Sequence, residues 1–162
     1  MKTAIVYYSM SGNTAYVAER LAGRLFADLI RLEPEKAYPN TGVKKFLWGG
    51  KSALMSETPK LEPYSFCAQA YDQIILGTPV WASNIAPPLR TFLQEQGEAL
   101  CDKRIAAYVC SLGGGDKRAL EKLQAALNPI SLFETLSLLA PKDKASAHTD
   151  AQIDAFAKSL LE

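Results

Sequence analysis

The chain has 162 residues, 48% of them hydrophobic, which is enough to close one substantial core and too little for two ordinary domains, so a single domain over 1–162 is expected. Eighteen Lys and Arg against 17 Asp and Glu leave a formal charge of +1, which argues against a nucleic-acid footprint and against a polybasic membrane patch. Three widely spaced cysteines, Cys67, Cys101 and Cys110, with no CxxC pair and one histidine, His148, speak against a zinc site or a disulfide framework. The apolar run at the N-terminus meets Ser9 and Gly12 too early for a signal peptide, and no later run is long enough to span a bilayer, so a soluble, cytoplasmic protein is expected.

In chain order, residues 3–8 form a β-branched and aromatic run, and residues 14–26 carry Val17, Ala18, Leu21, Ala22 and Leu25 at helical spacing, which predicts strand, tight loop and helix. Tyr7 and Tyr8 alternate across that strand and are expected to pack on its two faces. Residues 28–32 predict a second strand, ended by Glu33-Pro34 because the residue before proline stays extended. The connection from 33 to 71 is long, and its best helical candidate, 43–56, holds Gly49-Gly50 in its middle, so an irregular or broken helix is expected there. Residues 72–77 read as a buried parallel strand, 78–84 as a loop, and 85–93 as a helix with Pro87 and Pro88 in its first turn.

A fourth strand at 104–110 meets a Gly-rich loop and a helix at 117–127, with Leu120, Leu123 and Leu127 on one face. Residues 132–139 give a fifth strand, and 150–161 a closing helix with Ile153, Phe156, Ala157 and Leu160 inward. His148 falls in the polar stretch 142–149, read as a solvated loop. Five alternating strand and helix units imply a parallel sheet covered on both faces, with ligands at the carboxyl ends of the strands.

Three loops leave the ends of the first, third and fourth strands, each rich in Gly, Ser, Thr or Pro. The first, Ser9-Met10-Ser11-Gly12-Asn13-Thr14, sets hydroxyls and a glycine before a helix N-terminus, a pattern suited to an anion such as phosphate. It lacks both GxxxxGK[ST] and GxGxxG, so it reads as a phosphate grip without a transfer apparatus; the bland alternative is a Ser/Gly turn with a hydroxyl cap. Cys110 at a strand end has no Arg-bearing anion loop after it, which argues against a cysteine-dependent hydrolase.

The block Tyr7-Tyr8-Ser9-Met10-Ser11-Gly12-Asn13-Thr14 resembles the flavodoxin signature, in which a strand feeds a [ST]-x-[ST]-G-x-T loop. Thr78-Pro79-Val80-Trp81 with Pro87-Pro88-Leu89-Arg90-Thr91-Phe92-Leu93 resembles the second flavin loop of small flavodoxin-like proteins. The resemblance implies a doubly wound α/β fold with a five-stranded parallel sheet of order 2-1-3-4-5. It also implies FMN as cofactor, with Ser9, Met10, Ser11, Gly12, Asn13 and Thr14 on its phosphate. Thr78, Pro79, Val80, Trp81 and Ala82 would line one side of the isoalloxazine, and Ser111, Leu112, Gly113, Gly114 and Gly115 would approach its edge. FMN is favoured over FAD because no adenosine-binding element follows the first loop.

Two departures bear on function. Flavodoxin carriers are generally strongly acidic and cover the outer flavin face with a tyrosine from the third loop, whereas this chain is near neutral and has Leu112 and three glycines there. Less negative surroundings make the reduced flavin anion easier to form, and an open face leaves room for a flat substrate. The expectation is a redox flavoprotein without a catalytic side chain, serving as an electron carrier to a redox partner protein or as a small NAD(P)H:quinone-type reductase with a flat acceptor. The alternative is a flavodoxin-fold module that has lost its flavin. The 33–71 segment, with Phe46 and Trp48, would cover the flavin edge, form a homodimer contact or complete the fold.

Overall fold

The computed structural model describes residues 1–39, 51 and 56–162; Phe46, Trp48 and the Gly49-Gly50 pair lie outside the described residues. Five strands, β1 (Thr3–Tyr7), β2 (Asp28–Arg31), β3 (Gln73–Trp81), β5 (Arg104–Ser111) and β6 (Leu132–Leu139), form a parallel sheet in the order β2-β1-β3-β5-β6, and the short β4 (Asn84–Ile85) pairs antiparallel with the end of β3. Counting the parallel strands alone, this is the expected order 2-1-3-4-5. The order reverses between β1 and β3, so the first loop and the loop after β3 leave the sheet side by side, where open α/β sheets bind their ligands.

Four α-helices lie against the sheet among the described residues: α1 (Asn13–Leu25), α2 (Pro87–Gln96), α3 (Asp116–Leu127) and α4 (Ala147–Ser159). On one face of the sheet Ile5, Tyr7, Ile75 and Tyr108 pack with Val17 and Leu21 of α1 and Ile153 and Phe156 of α4. On the other, Val6, Tyr8, Ile74 and Leu76 pack with Leu89 and Phe92 of α2 and Leu123 and Leu127 of α3. Tyr7 and Tyr8 fall on opposite faces, as the period-two pleat requires.

Three of the boundary differences from the sequence expectation bear on the ends of elements near the loops. Strand β3 runs on through Thr78-Pro79-Val80-Trp81, which the sequence suggested was loop, because Thr78 and Pro79 pair with Val109 and Cys110 of β5 and Val80 and Trp81 gain partners in Ile85 and Asn84. Helix α2 accordingly begins at Pro87, with its two prolines in the positions whose N–H groups have no intrahelical acceptor. Helix α4 begins at Ala147, capped by Ser146 Oγ accepting from Thr149 N at 3.2 Å, so the exposed His148 lies in its first turn.

A contact across the sheet sets the position of α1. Gly77 of β3 stands opposite Tyr108 of β5, and a Cβ at Gly77 would come within 2.3 Å of the Tyr108 ring and hydroxyl. The space left by the missing side chain lets the fully buried Tyr108 donate its hydroxyl to the Thr14 carbonyl in the first turn of α1, at 3.0 Å. Gly77→Ala is expected to destabilise the fold by about 1–3 kcal/mol through overpacking. Tyr108→Phe, which removes one buried hydrogen bond, is expected to cost about 1 kcal/mol. Urea unfolding of both variants checks the ranking.

Candidate flavin site

The first loop, residues 8–13, joins β1 to α1 over the carboxyl edge of the sheet. Gly12 caps α1 with φ 94°, a conformation only glycine adopts without strain, and its carbonyl accepts the first helical N–H, from Tyr16, at 2.9 Å. The Ser9 hydroxyl is buried and accepts from Ala15 N at 3.1 Å, so it serves as an internal cap. The backbone N–H groups of residues 10–14 meet no acceptor among the described residues. Those groups, with the half-buried Ser11 and the positive end of the α1 dipole, gather hydrogen-bond donors of a kind suited to an anion.

Two side chains of this loop have other duties than the sequence suggested. Asn13 is buried and reaches the chain after β6: its Oδ1 accepts from Lys142 N at 2.8 Å, and its Nδ2 donates to Asp143 Oδ2 at 2.8 Å. Thr14 is buried and faces the Cys110 thiol, so only its main chain is open to a ligand. Met10 is half-buried against the core on the α2–α3 face. Arg31 at the end of β2 donates from Nη2 to the Ser9 carbonyl at 3.1 Å and pairs with Glu33, so it braces the loop from the other side.

The second element is the β3–β4 hairpin. Its two turn residues, Ala82 and Ser83, both have positive φ, 48° and 56°, the pair of values a two-residue turn needs to match the strand twist. Thr78 is fully buried; its hydroxyl donates to the Pro79 carbonyl and accepts from Ala86 N, each at 3.0 Å, so it fixes the hairpin base and is not free for a ligand. Asn84 Oδ1 accepts from Ile85 N and from Arg90 Nη2, which ties the hairpin to α2. Pro79, Val80 and Trp81 are half-buried and Ala82 is exposed.

Trp81 stands in a three-ring cluster, edge-on to Tyr8 at 5.6 Å and to Tyr38 at 5.2 Å between ring centroids. Edge-to-face packing of this kind stabilises by about 0.5–1.5 kcal/mol per pair and fixes the plane of the indole. Tyr38, from the segment after β2, had no signal in the sequence beyond its aromatic character.

The third loop starts from the buried Ser111, whose carbonyl accepts from Ala140 N at 2.8 Å, and exposes Leu112, Gly113 and Gly114. Gly115, at φ 83°, comes so close to the hairpin turn that a Cβ would lie 2.6 Å from Ser83 Oγ and 3.1 Å from Ser83 Cα. Its lack of a side chain therefore serves contact between the second and third loops, where the sequence suggested contact with the ring.

The sequence also missed Lys142. Its Nζ lies 3.0 Å from the point where a Gly12 Cβ would stand, which brings an ammonium to a loop that read as having no lysine. The two contributors are 130 residues apart in the chain, and tertiary contacts join them: the hydrogen bonds of Asn13 to Lys142 and Asp143 and the packing of α4 beside α1.

The family model described as flavodoxin matches residues 2–150. The chain belongs to the flavodoxin family. Among solved structures, it is similar to a flavoprotein from Lactobacillus acidophilus NCFM in complex with FMN, with a TM-score of 0.75 at 20% identity over 96% of this chain and 98% of that one. The apo form of the L. acidophilus flavoprotein gives 0.65 at 21% identity over 88% and 95%. Two-electron reduced Megasphaera elsdenii flavodoxin gives 0.59 at 15% identity over 96% and 98%. At these identities the likenesses speak for the fold. No curated protein matches in sequence. Among the described residues no helix is long and apolar enough to cross a membrane.

In this flavodoxin-family chain Cys110, at the end of β5, is not an activated nucleophile. Burial pushes the Cys110 thiol up to about 12 against an ordinary value of 9.0, outweighing its hydrogen bond with Thr14. Between those values the unfolded chain gives up this proton while the folded one keeps it, so the contribution of Cys110 to stability is lost as pH rises through that window. Iodoacetamide at pH 8 is expected to label the exposed Cys67 and Cys101 in the native protein and to reach Cys110 only in denaturant, as read by intact mass.

Proposed function

We propose that this chain binds FMN across its three loops and transfers electrons through the isoalloxazine ring, to a redox partner protein or to a small flat acceptor. The observation that carries the reading is the run of backbone N–H groups from 10 to 14, gathered around a glycine without Cβ at the start of α1. That arrangement has the chemistry of a phosphate-ester grip, and it lies beside a partly exposed tryptophan held rigid by two other rings. The FMN complex of the L. acidophilus flavoprotein supports the choice of ligand.

The residues present fit such a group. Met10, Ser11, Gly12, Asn13 and Thr14 would hold the phosphate, chiefly through main-chain N–H groups, while Ser9 keeps the loop closed from beneath. Pro79, Val80, Trp81 and Ala82 would form one wall and orient the ring. Ser111, Leu112, Gly113 and Gly114 would form the other, with Thr78 and Gly115 shaping the two walls from behind. When bound, isoalloxazine supplies electron or hydride acceptance at N5, and no side chain of the site is needed as acid, base or nucleophile.

The third loop favours an open outer face. Leu112 is 51% exposed and the loop from Ser111 to Asp116 carries no aromatic side chain, so among the described residues this loop leaves that side open to a flat acceptor or a partner surface. A near-neutral chain also places less negative charge around a reduced flavin than a strongly acidic carrier does.

Visible absorption of the purified protein during FMN addition is the test. The expected result is a perturbed, saturating flavin spectrum at micromolar FMN. Bleaching by NAD(P)H with recovery on adding a soluble quinone is the reductase outcome, and bound flavin inert to nicotinamide is the carrier outcome. Free-flavin spectra throughout the titration would overturn the reading in favour of a flavin-free module.

A further inference from the structure

We propose that Lys142 completes the phosphate grip and makes the site select a phosphorylated flavin over riboflavin, a proposal that rests on the flavin reading above. The Asn13 side chain is the device that brings it there. By accepting from Lys142 N and donating to Asp143 Oδ2, it clasps the chain after β6 onto the first loop at two adjacent residues. The Lys142 side chain then lies across Gly12, with Nζ, Cδ and Cε at 3.0, 3.3 and 3.6 Å from the position a Cβ would take. Gly12 thus has a second requirement besides its positive φ: a side chain there would displace the lysine.

The placement of this charge calls for an anion. Among the described residues no carboxylate lies within 4.0 Å of Lys142 Nζ, and Asp143, the nearest acid in sequence, directs an oxygen to Asn13. Arg31, the other cation at the loop, is paired with Glu33. Lys142 is thus an ammonium without an ionic partner, held against the positive end of the α1 dipole and against N–H groups that themselves meet no acceptor. Like partial charges repel there unless an anion sits between them. A phosphate monoester, mostly dianionic at neutral pH, would be met by main-chain donors from one side and by a mobile point charge from the other. Riboflavin would meet the same ring walls and gain nothing from the lysine.

Dissociation constants for FMN and riboflavin, from flavin fluorescence quenching in wild type, Lys142→Gln and Lys142→Arg, test the proposal. Lys142 is exposed, so thermal melts of the three proteins are expected to coincide. Lys142→Gln is expected to weaken FMN by about tenfold or more, to leave riboflavin unchanged, and to flatten the dependence of FMN affinity on salt. Lys142→Arg is expected to recover most of the loss. If wild type binds FMN more tightly than riboflavin but Lys142→Gln keeps that preference and its salt dependence, Lys142 has no part in it and the flavin reading stands. Equal weakening of both ligands would make the effect structural and overturn the proposal, as would a wild type that binds the two ligands equally. A wild type that binds neither would overturn the flavin reading itself.

Discussion

The Tyr108 hydroxyl reaches the Thr14 carbonyl through a gap that exists because Gly77 has no side chain, and this contact ties the first turn of α1 to the middle of the sheet. The turn it anchors directly follows the loop proposed to hold phosphate. A phenol without water around it gains from this one partner, and burial holds it well away from ionising. The geometry of the anion patch is thus inherited from the sheet: β3 and β5 are in register at Gly77 and Tyr108, and the helix end follows. Around that fixed point the other loops close by small-residue contacts, Gly115 on Ser83 and Ala140 on Ser111.

Much of this was readable in the chain. Apolar runs at 3–8, 72–77 and 104–110, each followed by a small-residue loop and a helical repeat, were sufficient for the parallel sheet and for the edge at which a ligand would lie. Short-range chemistry was readable as well: Gly12 at a helix start and Pro87-Pro88 at another act through their own φ values.

What escaped the sequence depends on groups distant in the chain. Thr78 to Trp81 looked like loop, and the strand continues because Thr78 and Pro79 keep their pairing with Val109 and Cys110 of β5 while Asn84 and Ile85 fold back as partners of Trp81 and Val80. Ala82 and Ser83 take left-handed conformations that their side chains disfavour by about 1–2 kcal/mol each, so no glycine or asparagine announced the hairpin. Asn13 read as a phosphate ligand, and its side chain is a clasp for Lys142 and Asp143, 130 positions away for the latter, which leaves only its main-chain N–H without an acceptor. The hydroxyls of Thr78 and Thr14 looked available and are turned inward. In each case composition was right for the loop and the assignment of individual side chains required the packing.

Backbone amide shifts, followed by two-dimensional NMR while FMN or riboflavin is added to labelled protein, test most directly the claim that the first loop grips phosphate. The account predicts downfield shifts of the amides of residues 10–14 with FMN that riboflavin does not reproduce, together with shifts around Trp81 common to both ligands. Perturbation confined to other surfaces, with the 10–14 amides unmoved by saturating FMN, would contradict it.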